Sequence, residues 1–294
     1  MSKKVYQVIA DMFINALEQG DLPPWKKPWK TNRGTCKSWY NHEYRGVNAM
    51  IVGMSGMPGP FITKKQLAKE GGQLKEDQKY LPIIFWKFIK DKANPKKKIP
   101  MIRFFQVYCA QTQCTGLTLP KWALKAQTAP ENDFTGTTPV EAFNKVLKAF
   151  ECPPTLEHGY DHACYMQARD RVELPDVNSF VSAEEYASTG FHELVHSTGH
   201  DKRLKRFAQD DGPAMFGSES YSKEELIAEI GSAMLLGHVG IDHEPTMENS
   251  KAYVKNWLRR LKDDPSLVVW AAGRAQKAVD LITGYVPPKR DDKD

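Results

Sequence analysis

The residues best suited to catalysis lie in one short segment, FHELVHSTGH, which runs from Phe191 to His200. It contains H-E-x-x-H, with His192 and His196 four positions apart, so on a helix both imidazoles lie on one face, a turn apart. Two imidazoles at this spacing can hold one Zn²⁺, and Glu193 beside them can take a proton from the attacking water. The motif therefore predicts a divalent-metal centre, with Zn²⁺ as the expected ion and Glu193 as the general base.

A third metal ligand must come from elsewhere in the chain. The longer pattern H-E-x-x-H-x-x-G-x-x-H fails because Lys202 stands at its last position. His200 is too far from His192, since a straight helix separates them by about 12 Å. Glu229 is the only charged residue in the run LIAEIGSAMLL, and a carboxylate buried there needs a compensating cation. We therefore predict that His192, His196 and Glu229 are the ligands, which resembles the gluzincin plan with a Glu on a following helix.

Other residues remain open as contributors to this centre. Glu225 lies one turn before Glu229 and completes a predicted capping box with Ser222, so it is expected at the helix start or around the ligands. Two histidines in the segment GHVGIDHE are weaker candidates for a ligand. His200 either orients a ligand or an oxyanion, or acts as a cation near the last carbonyls of its helix. Histidines that bind no metal are the remaining alternative.

A second group of residues, in the first half of the chain, is suited to binding nucleic acid. Segment 22–48 interleaves aromatic rings with cations. Aromatic rings stack on unpaired bases while Lys and Arg follow the phosphates, which binds single strands without reading their sequence. The predicted DNA-binding residues are Trp25, Lys26, Lys27, Trp29, Lys30, Trp39, Tyr40, Tyr44 and Arg45. The alternative is that the tryptophans fill a core and the lysines only solvate the surface.

The charge distribution favours a division into two domains. Residues 1–125 carry 22 Lys and Arg against 8 Asp and Glu, a net charge of +14, whereas residues 126–294 carry 19 against 28, a net charge of −9. Because phosphate neutralisation dominates nucleic-acid affinity, the basic part is expected to bind a polyanion. The polar segment 126–139 lies where the balance changes, so we predict it as a linker before a second domain at 140–286 and a tail at 287–294.

The composition predicts a cytoplasmic protein. No apolar run approaches the roughly 20 residues of a membrane span, and the N-terminal segment reads as an amphipathic helix instead of a signal peptide. The five cysteines show no C-x-x-C spacing, which is typical of reduced thiols in a cytosol. No contact with a membrane is expected.

The pattern of elements predicts an α+β fold, with a mixed first domain and a mainly helical second domain. Two strands are expected in KYLPIIFWKFIK and PMIRFFQVYCA, and short strands in HACYMQARDRVELP. Helices are expected near 3–19, before Gly71, in TTPVEAFNKVLKAF, from Ser182 through His196, from Ser222 onward, and near 246–262 and 266–284.

Several of these motifs together resemble the antirestriction protein ArdC family of conjugative plasmids. LPPWKKPW, EYRGVN, FITKKQLAKEGGQL and FFQVYCAQTQCTGL resemble its N-terminal single-stranded-DNA-binding domain, which is similar to one in plasmid primases. FHELVHSTGHDKRL and YSKEELIAEIGSAML resemble its C-terminal zincin-like domain. One departure is Phe61-Ile62 in place of the usual Trp, which weakens any stacking role at that position.

The resemblance implies that the protein protects incoming plasmid DNA from host restriction during conjugation. It implies single-stranded DNA as a partner and a metallopeptidase-like site, with a host protein as a possible substrate. Two alternatives stay open: a single-strand-binding protein whose metal is structural, and a metallopeptidase whose basic half binds an acidic protein. The presence of Glu193 favours chemistry, because a structural zinc has no need of it.

Overall fold

The computed structural model describes residues 2–19, 37–90, 98–127, 133–207, 219–241 and 250–287. The chain divides into two compact units. The first consists of residues 1–131 and 246–270, and the second of residues 132–245 and 271–294. The sequence predicts two contiguous domains, whereas the structure groups 246–270 with the first unit.

Helices and strands alternate in the first part of the chain, and helices predominate later. Up to residue 127 the elements are α1 (Ser2–Gln19), α2 (Val47–Ser55), β1 (Phe61–Thr63), α3 (Lys64–Lys69), β2 (Gln73–Leu74), β3 (Leu81–Lys90), β4 (Lys98–Cys109), β5 (Cys114–Thr115) and α4 (Lys121–Gln127). From residue 139 they are α5 (Pro139–Ala149), β6 (Thr155–His158), β7 (Cys164–Met166), β8 (Arg171–Leu174), α6 (Ala183–Ser197), α7 (Glu219–Val239), α8 (Ser250–Asp263) and α9 (Leu267–Thr283). The predicted α+β class is confirmed.

The first unit is built on an antiparallel sheet in the order β1-β4-β3. α1 packs against β3 and β4 through a stripe at helical spacing, in which Ile9, Phe13 and Leu17 are buried. α8 packs on the same helix, and Lys262 Nζ lies 3.0 Å from Glu18 Oε1. This packing explains why α8 belongs with the first unit although it follows the second in sequence.

The second unit contains a small sheet in the order β6-β8-β7, in which β6 runs parallel and β7 antiparallel to β8. α6 packs against β7, β8, α5 and α7. Ser182 caps α6, because its side chain accepts a hydrogen bond from the Glu185 backbone N–H at 3.1 Å. The predicted start of this helix is therefore confirmed, and the helix carries the H-E-x-x-H motif through to Ser197.

α7 approaches α6 closely at a glycine. A Cβ atom added to Gly231 would lie 2.7 Å from a methyl carbon of Val195, so only glycine fits there without a shift. One residue later, the Ser232 hydroxyl donates to the Ser188 carbonyl oxygen at 2.8 Å. These two contacts fix the register between the helices.

The predicted capping box of Ser222 and Glu225 is wrong. α7 begins at Glu219, so Glu225 lies inside the helix and is free of a capping role. Its side chain can therefore face the neighbouring helix. In the part of the chain that is described, no helix is both long enough and apolar enough for a membrane span.

Candidate metal centre and nucleic-acid interface

The two histidines of the motif lie side by side on α6. His192 Nε2 and His196 Nε2 are 3.1 Å apart, and their rings meet edge-on with centroids separated by 4.7 Å. The spacing of four residues places both imidazoles on the face that turns toward α7. The sequence prediction that these residues converge is met by this geometry.

The carboxylate that reaches the two imidazoles is that of Glu225. Its Oε2 lies 3.4 Å from His192 Nε2 and its Oε1 lies 3.4 Å from His196 Nε2. One donor atom from each of these three residues lies within 4.8 Å of the others. Among the described residues Glu229 is not part of this group, so the prediction is corrected in one respect: the carboxylate beside the two histidines is that of Glu225. The error follows from the false cap, which led us to place Glu225 at the start of α7.

In this group, hydrogen bonds between the side chains outweigh the effect of burial on their pKa values. Burial alone would lower the pKa of His196, but hydrogen bonds to Glu224 and Glu225 raise it to about 10. Burial would raise the pKa of Glu225, yet hydrogen bonds to His192 and His196 hold that pKa well below its usual range. The point where these donors meet therefore stabilises positive charge, as a cation site requires.

Behind His196 lies a second carboxylate that sequence reasoning missed. Glu224 Oε1 is 3.5 Å from His196 Nδ1 and 2.5 Å from Arg206 Nη2. Arg206 is buried and also donates to the Thr198 hydroxyl at 2.6 Å and to the Val195 carbonyl oxygen at 3.0 Å. A histidine ligand commonly gives its other ring nitrogen to such a carboxylate, which fixes the ring orientation. Adjacency to Glu225 is the one sequence signal for Glu224.

Glu193 follows His192 on the same helix and is 7% exposed. In the described part of the chain its carboxylate makes no hydrogen bond, and its negative charge acts on His196 and on the Cys164 thiol of β7. A buried carboxylate with free lone pairs beside two imidazoles is suited to accept a proton.

The side chain of His200 contacts residues outside the group of converging donors. Its Nδ1 accepts a hydrogen bond from the Lys202 backbone N–H at 3.1 Å and lies 4.0 Å from Asp170 Oδ2. Among the described residues, His200 is not one of the donors that converge at His192 and His196.

Five of the predicted DNA-binding residues lie outside the described part of the chain, namely Trp25, Lys26, Lys27, Trp29 and Lys30. Of the others, Trp39 is 5% exposed and packs with Ile62, Leu67 and Tyr108. Trp39 also lines a surface groove, but at 5% exposure it offers no open ring face to a base. The prediction for Trp39 is therefore corrected to a core residue, as the alternative reading of the tryptophans held.

The remaining predicted residues differ in exposure. Tyr40 is 45% exposed and borders a surface groove together with Trp122, and Lys69 Nζ lies 5.9 Å from its ring centroid. Tyr44 is half-buried and packs edge-on against Phe61 at 6.0 Å, and burial raises the pKa of its hydroxyl well above the usual range. Arg45 Nη1 lies 3.8 Å from Glu43. Tyr40 alone of this set presents an exposed ring.

A second exposed aromatic surface was missed by the sequence reasoning. Phe85 of β3 pairs with Arg103 of β4, and Phe105 lies on the same face two residues along, with its ring 6.2 Å from that of Phe85. Phe85 is 36% and Phe105 47% exposed, and Arg103 is exposed as well. We call Phe85, Arg103 and Phe105 the sheet patch. The alternation of side chains along a strand could have indicated that these residues share one face of the sheet. It could not have indicated that this part of the face is exposed.

Comparison with known families defines the class of the protein. Residues 141–274 match the zincin-like metallopeptidase family, and residues 3–108 match the N-terminal domain of anti-restriction factor ArdC. The H-E-x-x-H helix thus lies in a zincin-like metallopeptidase domain.

Solved structures then identify the family. Two crystal structures of the antirestriction protein ArdC from plasmid R388, one metal-free and one Mn(II)-bound, are similar to this chain. Each shares 31% sequence identity with it, at a TM-score of 0.71, over 95% of this chain and 97% of that one. The chain belongs to the ArdC family of antirestriction proteins.

Curated relatives include longer proteins. DNA primase TraC of Escherichia coli is 32% identical over 97% of this chain, but the match spans only 27% of the primase. Uncharacterized protein y4eC of Sinorhizobium fredii is 24% identical over 95% of this chain and 91% of its own length. The chain therefore matches most of one protein of similar length and about a quarter of a longer one.

Proposed function

We propose that this protein is an antirestriction protein that binds single-stranded DNA and carries a metal-dependent centre for peptide hydrolysis. The observation that carries the proposal is the convergence of His192, His196 and Glu225, with Glu193 beside them on the same helix. This combination supplies metal donors and a base at one place.

The donor set fits a divalent ion. Catalytic zinc sites use three protein ligands of these types and leave one position open, whereas structural sites close with four protein ligands. In the described residues three side chains converge here, which favours a catalytic over a structural ion. When bound, the ion supplies a Lewis acid that polarises a carbonyl and acidifies water. We expect Zn²⁺ as the native ion, and the Mn(II)-bound R388 protein supports a divalent ion in general.

The chain's own residues have separate tasks in this proposal. Glu193 accepts the proton of the attacking water and returns it to the leaving amine nitrogen. Glu224 holds the ring of His196 through Nδ1, and Arg206 balances the charge of Glu224. Within the described residues β7 is an edge strand of its sheet and packs against α6, so an extended peptide can align along it near Glu193.

For DNA we propose two exposed aromatic surfaces of the first unit. One is the groove at Tyr40 and Trp122, flanked by Lys37 Nζ at 5.8 Å from the Trp122 ring and by Lys69. The other is the sheet patch. Each joins rings that can stack on bases to a cation that can meet a phosphate, and the net charge of +14 over residues 1–125 attracts a polyanion.

Together these features support a role in protecting incoming plasmid DNA from restriction. DNA entering during conjugation is single-stranded, so a protein that coats single strands is placed where protection is needed. The proposed hydrolytic centre would act on a host protein at that DNA.

The hydrolytic part is tested with the full chain, stripped by a chelator and reloaded with Zn²⁺ or Mn²⁺. We expect cleavage of a denatured protein substrate or of host-cell proteins to follow reloading and to be lost in Glu193→Gln. Cleavage that is equal in wild type and Glu193→Gln would contradict the proposal.

The DNA part is tested by fluorescence anisotropy of the full chain with a single-stranded oligonucleotide across a salt series. We expect a steep fall of affinity with salt, little dependence on sequence, and weaker binding to duplex DNA. Absence of DNA binding together with binding to an acidic protein would favour the other reading of the basic half.

A further inference from the structure

A second cluster of metal-ligating side chains lies in the small sheet of the second unit. His162, Cys164 and Glu173 each offer one donor atom, and the three atoms lie within 4.8 Å of one another. Glu173 Oε2 is 3.3 Å from His162 Nε2 and 3.8 Å from Cys164 Sγ. The proposed function uses the side chain of none of these three residues.

The backbone sets this arrangement. Cys164 and Glu173 are paired across β7 and β8, so their side chains lie on the same face of the sheet. His162 precedes Cys164 by two residues. Because directly paired residues in an antiparallel ladder are neighbours, the thiol and the carboxylate are brought together by strand register and not by flexible loops.

The donors are also oriented for an ion. His162 Nδ1 lies 2.7 Å from Asp161 Oδ1, which leaves Nε2 directed at Glu173. A carboxylate on the far ring nitrogen is the usual support of a metal-bound histidine. Arg171 is hydrogen-bonded to Glu173 Oε1, so Glu173 Oε2 remains for His162, the thiol and a cation.

The local charge is negative. Among the described residues, Arg171 is 2.7 Å from Glu157 Oε2 and contacts Glu173, while Asp161 contacts His162, so three carboxylates lie around one arginine and one histidine. Glu173 is 5% exposed, and Arg171 compensates part of the negative charge of this group, in which buried charge is costly unless paired. An additional cation would therefore be stabilised at this place.

We propose that His162, Cys164 and Glu173 form a second divalent-metal site, selective for ions that bind thiolate. On binding, the thiol loses its proton to solvent and the sulfur donates a lone pair to the ion, with no change in oxidation state. Thiolate and imidazole favour Zn²⁺ and Co²⁺ over Mn²⁺ and Mg²⁺, which prefer oxygen donors. We call the group of His192, His196 and Glu225 the histidine centre. It has two imidazoles and a carboxylate but no sulfur, so the two sites differ in their spectra and metal preference.

The test uses Co²⁺ as a probe of the full chain, because a cobalt–thiolate bond gives a near-ultraviolet charge-transfer band that imidazole and carboxylate ligands do not. We expect this band in wild type, and its loss together with one metal equivalent in Cys164→Ser. The matched control is Cys152→Ser, which alters an exposed cysteine and should retain the band.

Two further variants separate this site from the proposed function. His162→Gln changes a half-exposed side chain and should weaken the band without unfolding the protein, as checked by circular dichroism. Glu225→Gln should remove metal from the histidine centre and leave the band. A wild type without the band, or a band that survives Cys164→Ser, would overturn the second site, whatever the outcome at the first.

Discussion

The metal centre of the second unit and the aromatic surfaces of the first differ in how their residues are held. Three converging side chains on two helices form the centre, and these helices are held by the cap at Ser182 and the close contact at Gly231, with the ion pair of Glu224 and Arg206 beside them. The aromatic surfaces are spread over loops and one sheet face, with rings that differ widely in exposure. Chemistry at a metal requires fixed geometry, whereas stacking on a single strand requires only accessible rings and nearby charge.

The largest effect is expected at the base. Glu193→Gln should lower the rate of hydrolysis by about 10² to 10⁴-fold, because an amide cannot accept the proton of water. Metal content and unfolding temperature should stay near those of wild type, since Glu193 is not one of the converging donors. Substrate cleavage and metal analysis on the same preparation check both parts. A variant that loses metal along with activity would make Glu193 a structural residue.

The close contact of α6 and α7 offers a second way to disturb the metal centre, without replacing any of its donor residues. Gly231→Ala should lower the free energy of unfolding by about 1–3 kcal/mol, because the added methyl group overlaps Val195. We expect weaker metal binding as Glu225 moves away from the histidines. Gly273→Ala is the matched control, since a methyl group there meets nothing within 4 Å. Equal stability of the two variants would show that the helices are not held at Gly231.

For the aromatic surfaces we expect smaller effects on DNA binding, and these differ between the rings and the cation. Phe105→Ala should weaken single-strand binding by about 1–3 kcal/mol through the loss of one stacking surface, and Arg103→Ala should also reduce the salt dependence of binding. Tyr285→Ala, which removes an exposed ring of the second unit, should leave the affinity unchanged. Anisotropy titrations of the three variants decide this, and a larger loss with Tyr285→Ala would move the DNA site to the second unit.

The smallest expected effect concerns the stability in acid that the ion pair of Asp170 and Arg203 gives to the end of α6. Burial would raise the pKa of Asp170, but hydrogen bonds to Arg203 and Tyr165 lower it to about 2. Arg203 also donates to the Ser197 carbonyl oxygen at the end of α6 at 2.7 Å. Because the folded-state pKa is depressed, this stabilisation is present above the unfolded value of about 3.9 and is lost as the pH falls toward about 2.

The variant Asp170→Asn tests this directly. It should unfold at a lower temperature than wild type near neutral pH, and the difference should shrink as the medium is acidified. Thermal unfolding followed by circular dichroism gives the comparison. A difference that does not change with pH would mean that the carboxylate acts by shape and not by charge.

Features that depend on residues close together in the sequence were predictable, whereas features that depend on contacts between distant segments were not. The helix with H-E-x-x-H was predictable because Ser182, the apolar spacing and the motif are all local. The third ligand was not, because the choice between Glu225 and Glu229 depends on where α7 begins and on its contact with α6. A capping pattern at Ser222 fits a helix start equally well when the helix in fact begins earlier.

The aromatic residues show the same limit. Trp39 and Tyr40 are adjacent and equally suited to stacking by type, yet one is buried and the other exposed. Their burial depends on packing against β1, α3 and β4, which no local pattern encodes. Phe85 and Phe105 lie in strands whose apolar composition predicts burial, and the sheet leaves them open instead.

The most direct test of the central claim is the metal content of the matched pair Glu225→Gln and Glu229→Gln. Mn²⁺ is the appropriate ion, because it disfavours the sulfur-containing site and so reports on the histidine centre. Electron paramagnetic resonance of free Mn²⁺ measures binding without separating the components. We predict that Glu225→Gln loses the bound ion and that Glu229→Gln retains it at wild-type affinity. Retention by Glu225→Gln with loss by Glu229→Gln would contradict the account.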